Sequence, residues 1–143
     1  MSILTIQIPD SFLSLTHTFK SCVNKEIREA GIDIAPMEIQ SLHCINRIGS
    51  CTAAYISEQL DRDKGQVARL VRDMLKKNLI YKVLNPLDSR SHLIELSEFG
   101  QEILKQLLHI ENNIMKVMLD SITERQVDQF NSIALEMAQN LKR

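Results

Sequence analysis

Along most of this chain, apolar residues recur every three or four positions. Only at residues 80–96 does that period give way to two short strand-like runs joined by turn residues. Such a pattern leaves little choice of architecture. Helical stripes must be buried against one another, and a lone strand pair cannot form a sheet core of its own. Phe12, Leu15, Phe19, Cys22/Val23 and Ile27 predict a first helix over about 10–30, stopped by Gly31. Pro36 suits the first turn of a second helix, where a missing N–H costs nothing. Ile39, Leu42, Ile45 and Ile48 stripe that helix, and Gly49 ends it. Thr52 is placed to cap a short helix over Ala53–Leu60, and Asp63 a longer one over Lys64–Lys77. The longer helix is striped by Val67, Leu70, Val71, Met74 and Leu75. Asn78 follows, a residue that tolerates the left-handed conformation at a helix end. Ile80–Leu84 and His92–Leu96 read as paired strands around a long polar tip, Asn85-Pro86-Leu87-Asp88-Ser89-Arg90. Ser97 caps a fifth helix and Thr123-x-x-Gln126 forms a capping box for a sixth. The fold class expected is therefore mainly α with a small β-hairpin wing, in one domain spanning 1–143.

Residues 53–77 then describe a short helix, a three-residue turn (Asp61-Arg62-Asp63) and a longer helix, which is a helix-turn-helix pattern. Ser57, mid-way in the first helix, is small enough to let the second cross closely. Ile56, Leu60, Val67, Leu70 and Val71 fill the shared core. Lys64, Gly65, Gln66, Arg69, Arg72 and Asp73 are left facing outward. A recognition helix meets base edges with its first turn. There Gln66 suits adenine and Lys64 suits guanine. Arg62 and Arg69 suit phosphates. Gly65 costs about 1 kcal/mol of helix propensity relative to alanine, and close approach of the backbone to DNA offers a compensation.

Any helix pair can imitate a helix-turn-helix; the basic hairpin behind it sharpens the reading to a winged helix. Lys82 and Ser89 lie on the hairpin, and Arg90, near its tip, suits a narrow minor groove. Asp88 is an odd charge to set against DNA. It can orient Arg90, tie the wing to the helices, or simply make an Asx-turn.

The net charge of −1 looks wrong for such a role, but its distribution does not. Residues 62–92 hold eight basic and three acidic side chains, and the remainder nine and fifteen. Salt screens charge over about 10 Å, so a polyanion feels the basic strip rather than the acidic body. No apolar run approaches the roughly 18 residues of a membrane span. The N-terminal segment lacks a basic leader, and the cysteines number three, so a cytoplasmic protein with reduced thiols is expected. No GxSxG, P-loop or GxGxxG appears, so neither an enzyme nor a bound cofactor is expected. His17, His43, His92 and His109 show no metal-ligand spacing. Cys22, on the apolar stripe, reads as a core cysteine, as do Cys44 and Cys51; Met115 and Met118 read as packing residues.

From Thr52 to Gly100 the chain resembles the multiple-antibiotic-resistance regulator (MarR) family. The likeness rests on the helix-turn-helix, Asn78-Leu79-Ile80 leading into the wing, Asp88-x-Arg90, and Leu96-Ser97-x-x-Gly100. Departures are Asn78 for a usual glycine, Lys82 for a frequent arginine, Ser89 for a second basic residue and Ser97 for a frequent threonine. The resemblance implies a winged helix-turn-helix over about 36–97 and a homodimer joined through helices at about 10–30 and 98–142. It implies binding to a pseudopalindromic operator, more often as a repressor. It also implies a pocket for a small aromatic or phenolic effector between the dimer helices and the DNA-binding lobe. A competing reading keeps the dimer fold and works through a protein partner without touching DNA; the intact basic strip argues against it.

Overall fold

A computed structural model describes residues 3–143, with side chains from residue 7 onward; the first two residues of the expected 1–143 span lie outside the described residues. The chain forms α1 (Ile3–Glu29), α2 (Pro36–Ile48), α3 (Ala53–Leu60), α4 (Lys64–Lys76), β1 (Ile80–Leu84), β2 (His92–Leu96), α5 (Glu98–Met118) and α6 (Glu124–Leu141). It divides into two compact units, one running to Glu111 and the other from Asn112 to Arg143.

In the first unit, local chemistry sets most boundaries. Pro36 opens α2, and Gly49, at φ 86°, closes it with its N–H on the Ile45 carbonyl. Thr52 Oγ1 accepts the Tyr55 N–H at 3.1 Å to start α3. Asp63 Oδ1 accepts the Gln66 N–H at 2.8 Å to start α4. Asn78 adopts φ 58°, the left-handed turn needed to leave α4. β1 and β2 pair antiparallel from Ile80↔Leu96 at the root to Leu84↔His92 at the tip. A single bridge between Cys51 and Ile94 ties the α2–α3 connection to the root of this hairpin.

The core is shared among α2, α3, α4, β2 and α5: Leu42, Ile45, Ile56, Val67, Met74, Ile94 and Leu107 are fully buried, with Leu79 from the α4–β1 connection. Only the hairpin root reaches it. Leu84 and Leu87 stand in solvent, Leu87 at 95% exposure.

Three expectations need correction. The first helix begins at Ile3 rather than near residue 10, with Pro9 inside it. A proline within a helix removes one ladder bond and costs about 3 kcal/mol; the helix absorbs this locally and continues on both sides. Cys22 is exposed, not a core residue. At 3.6 residues per turn it shares a face with Phe12, Leu15 and Phe19, whereas the buried pair is Val23 and Ile27, one position round. Ile48, at the end of the α2 stripe, is half exposed.

In the second unit the capping box at α6 is present as expected, with Thr123 and Gln126 bonded reciprocally at 2.9 and 3.2 Å. All of α6 is described and none of its residues is buried; Phe130, Ile133, Leu135, Met137 and Leu141 are exposed. Met115 of α5 is exposed as well, while Met118 is half buried.

The two buried cysteines behave as inert core groups. Burial pushes the Cys44 thiol up, Arg47 pulling weakly the other way, and burial with the neighbouring Cys44 pushes Cys51 up to about 11. A thiol with a raised folded pKa contributes stability that is whole below its ordinary value of 9.0 and is lost as the pH climbs through the folded value. In a Cys22→Ser protein, a thiol reagent at pH 8 should find no reactive group until the chain unfolds, and the denaturation midpoint should drop between pH 9 and about 11. Rapid labelling of the folded variant would show that Cys44 or Cys51 is not sealed.

Candidate nucleic-acid interface

The α3–α4 pair is built to present one face of α4. Val67, Val71 and Met74 turn inward against Ile56, while Leu60, Leu70 and Leu75 are half buried at the margin. Between the helices Asp61 takes φ 50°, and the Ser57 hydroxyl donates to the Arg62 carbonyl. Ser57 therefore does more than leave room for a crossing: it fastens the turn. Lys64, Gly65, Gln66, Arg69 and Arg72 are exposed on α4, and Arg62 is exposed on the turn. Arg62, Gln66 and Arg69 line a common shallow cleft with Asp73 and the first turn of α2. Gly65 has a reason of its own within the fold: a Cβ there would stand 3.2 Å from the capping Asp63 Oδ1, so alanine would crowd the cap.

Lys82, Asp88, Ser89 and Arg90 are exposed on the hairpin. Its tip is tied by short side-chain bonds. Asn85 Oδ1 accepts the Leu87 N–H at 3.0 Å, and Asn85 Nδ2 donates to Ser91 Oγ at 2.9 Å. Asp88 Oδ1 accepts the Arg90 N–H at 2.9 Å. Of the roles open to Asp88, the Asx-turn is the one observed, and it fixes the backbone from which Arg90 projects. Among the described residues Asp88 makes no ion pair to the helices. All ten residues singled out from the sequence thus lie in solvent, six on α4 or its preceding turn and four on the hairpin.

Sequence reasoning misses two tertiary pairs. Glu38, in the first turn of α2, is only 4% exposed and takes Lys77, the residue closing α4, at 2.9 Å; Asp33 lies 3.6 Å from the same ammonium. Burial pulls the Lys77 pKa down, but the hydrogen bond and charge of Glu38, with Asp33 behind it, outweigh this and hold it above the ordinary lysine value. Glu38 Oε2 is buried with no hydrogen-bond partner among the described residues. His43 Nε2 lies 2.9 Å from Glu111 Oε1, joining α2 to α5. Neither pair carries a local signal, being 39 and 68 positions apart.

A second cleft of about 380 Å³ opens where the end of α2, the hairpin root and the start of α5 meet. Tyr81, Leu104 and Leu108 give it apolar walls, and Lys105 lies at its side. Among the described residues no group of three or more His, Cys, Asp or Glu is placed to hold a metal ion, and no helix is long and apolar enough to cross a membrane.

Comparison with known proteins agrees with this geometry. Residues 32–91 match the model of the MarR family. The chain is 22% identical over 110 residues to the uncharacterized HTH-type transcriptional regulator YsmB of Bacillus subtilis, covering 77% of this chain and 75% of that protein. Its fold is similar to that of a MarR family protein from Bacillus stearothermophilus, with a TM-score of 0.83 at 17% identity over 100% of this chain and 99% of the other. It is similar also to a mutant Escherichia coli MarR complexed with operator DNA, with a TM-score of 0.70 at 18% identity over 96% and 99%. Residues 32–91, which hold the helix-turn-helix and the first strand of the wing, are thus similar to the MarR family, and the fold is similar to that of solved MarR-family proteins.

Proposed function

We propose that the chain is a sequence-specific DNA-binding regulator that acts as a homodimer, most simply as a repressor, on a pseudopalindromic operator. The observation that carries this is the exposure of all ten candidate residues on α4, the turn before it and one hairpin, in the basic segment of an otherwise acidic chain. Gln66 and Lys64 sit on the turn of α4 that reads bases in helix-turn-helix proteins. Arg62, Arg69, Arg72 and Lys82 supply phosphate contacts, and Arg90, held out by the Asp88 turn, supplies the minor-groove contact. Asp88 and Ser89 shape the tip. The second copy answers the apolar faces left uncovered on α1 (Phe12, Leu13, Leu15) and α6, since patches beyond a few hundred Å² are uncommon in monomers. We assign the Tyr81–Leu104–Leu108 cleft to a small aromatic or phenolic effector, its walls apolar and Lys105 available to an acidic or phenolic oxygen.

The purified protein should scatter light as a dimer at micromolar concentration. Selection from random duplexes should return an inverted repeat with half-site centres about 10–11 bp apart. A stable monomer, or a single asymmetric half-site of full affinity, would contradict the symmetric reading.

Three substitutions separate the roles. Gln66→Ala should lose preference at one position per half-site, by about 1–3 kcal/mol, and keep its salt slope. Arg90→Ala should weaken selected and scrambled duplexes alike, and the log–log salt slope of the dimer should become shallower by about two. Asp88→Asn keeps the turn acceptor and removes a negative charge, so it should bind at least as tightly as the parent. Fluorescence anisotropy across a salt series reads all three. An unchanged slope and an unchanged affinity for scrambled DNA in Arg90→Ala would mean that the wing does not touch DNA.

A further inference from the structure

The residues leaving α4 are gripped from two sides. On one side Lys77 is held by the buried Glu38 of α2 at 2.9 Å and by Asp33. On the other, Asn78 and Leu79 meet the first turn of α5. The Ser97 hydroxyl donates to the Asn78 carbonyl and accepts the Gly100 N–H at 2.9 Å. The Ser97 N–H donates to the Leu79 carbonyl at 3.1 Å. Gly100 lies so close that a Cβ would fall 1.9 Å from that same carbonyl oxygen. We propose that this clamp on Lys77-Asn78-Leu79 sets the direction of α4, so that Glu38, Ser97 and Gly100 are positioning residues for sequence discrimination. The proposal rests on the DNA-reading assignment above and adds to it what aims the helix.

Geometry says why such residues act on specificity rather than on affinity in general. The first turn of α4 lies at the opposite end of a 13-residue helix, roughly 18 Å from the clamp at 1.5 Å per residue. A tilt of about 5° there swings the reading end by roughly 1.6 Å, well beyond the few tenths of an ångström that separate a good hydrogen bond from a lost one. Phosphate contacts are made by long, jointed arginine and lysine side chains, which can follow such a movement; the short, planar Gln66 amide on a base edge cannot. The clamp also accounts for the Leu96-Ser97-x-x-Gly100 motif. Serine supplies a donor and an acceptor at one atom, and only glycine permits the backbone approach. Threonine offers the same hydroxyl.

The test is the ratio of affinities for the selected and scrambled duplexes, measured on the full-length dimer by anisotropy. Ser97→Ala and Gly100→Ala should lower that ratio by about five- to a hundredfold, the equivalent of one lost base contact. Affinity for the scrambled duplex and the salt slope should stay at the parent values. Ser97→Thr should restore the parent ratio. Glu38→Leu should behave like Ser97→Ala, and Glu38→Gln, which keeps an acceptor for Lys77, should stay near the parent. A merely structural role would scale both affinities by the folded fraction and leave the ratio untouched. That result in Ser97→Ala overturns the proposal, even if Gly100→Ala fails to fold. A parent chain with no preference between the duplexes is a different failure: it defeats the DNA-reading assignment, and this inference with it.

Discussion

Around the carbonyl of Leu79 three parts of the molecule come within bonding distance of one another. It follows the end of α4, it precedes the first strand of the wing, and it receives the first turn of α5 through the Ser97 N–H and the bare Cα of Gly100. Leu79 itself is 2% exposed, in the same core as Met74, Ile94 and Leu107. Backbone that is both buried and shared in this way must be fully bonded, because an unpaired buried polar group costs about as much as a lost hydrogen bond. The left-handed Asn78 and the doubly used Ser97 hydroxyl meet that requirement. Movement of the wing root, of α4 or of the start of α5 therefore disturbs the other two.

Charge is distributed to match this mechanical arrangement. The cations on the exposed face of α4 and on the wing stand in solvent, while Lys77, which closes α4, is taken up by a buried carboxylate. A buried ion pair is weak evidence for stability, since desolvation offsets much of its attraction, and its better attested use is to fix register. Here the register is that of α4 on α2. At the wing the hydrogen bonds are local instead, made by Asn85 and Asp88 to their own backbone neighbours. The tip thus keeps its shape without drawing on the core.

What can be read from the sequence is whatever local chemistry decides. Both strands, the α3 span and the caps at Thr52, Asp63, Ser97 and Thr123 follow from residues within four positions of one another, and the structure has them in place. Side-chain exposure on α4 is legible for the same reason, since a 3.6-residue period separates Val67, Val71 and Met74 from the charged face. Long-range matters are not legible. Cys22 is misread because the stripe on α1 contains two faces one position apart, and only contact with the core decides which is buried. The Glu38–Lys77 and His43–Glu111 pairs join residues that look like ordinary surface charges in sequence. The start of α1 is missed because the apolar stripe that marks this helix begins only at Phe12, whereas the helix itself begins at Ile3.

The most direct test of the account follows backbone amide resonances while a selected duplex is added to the dimer. The account predicts that the large shifts fall on residues 62–72 and 85–91, the α4 face and the wing tip. Smaller ones should reach 77–79 and 97–100 through the clamp, and those of α6 should remain still. Large shifts on α6 with residues 62–72 and 85–91 unmoved would contradict it.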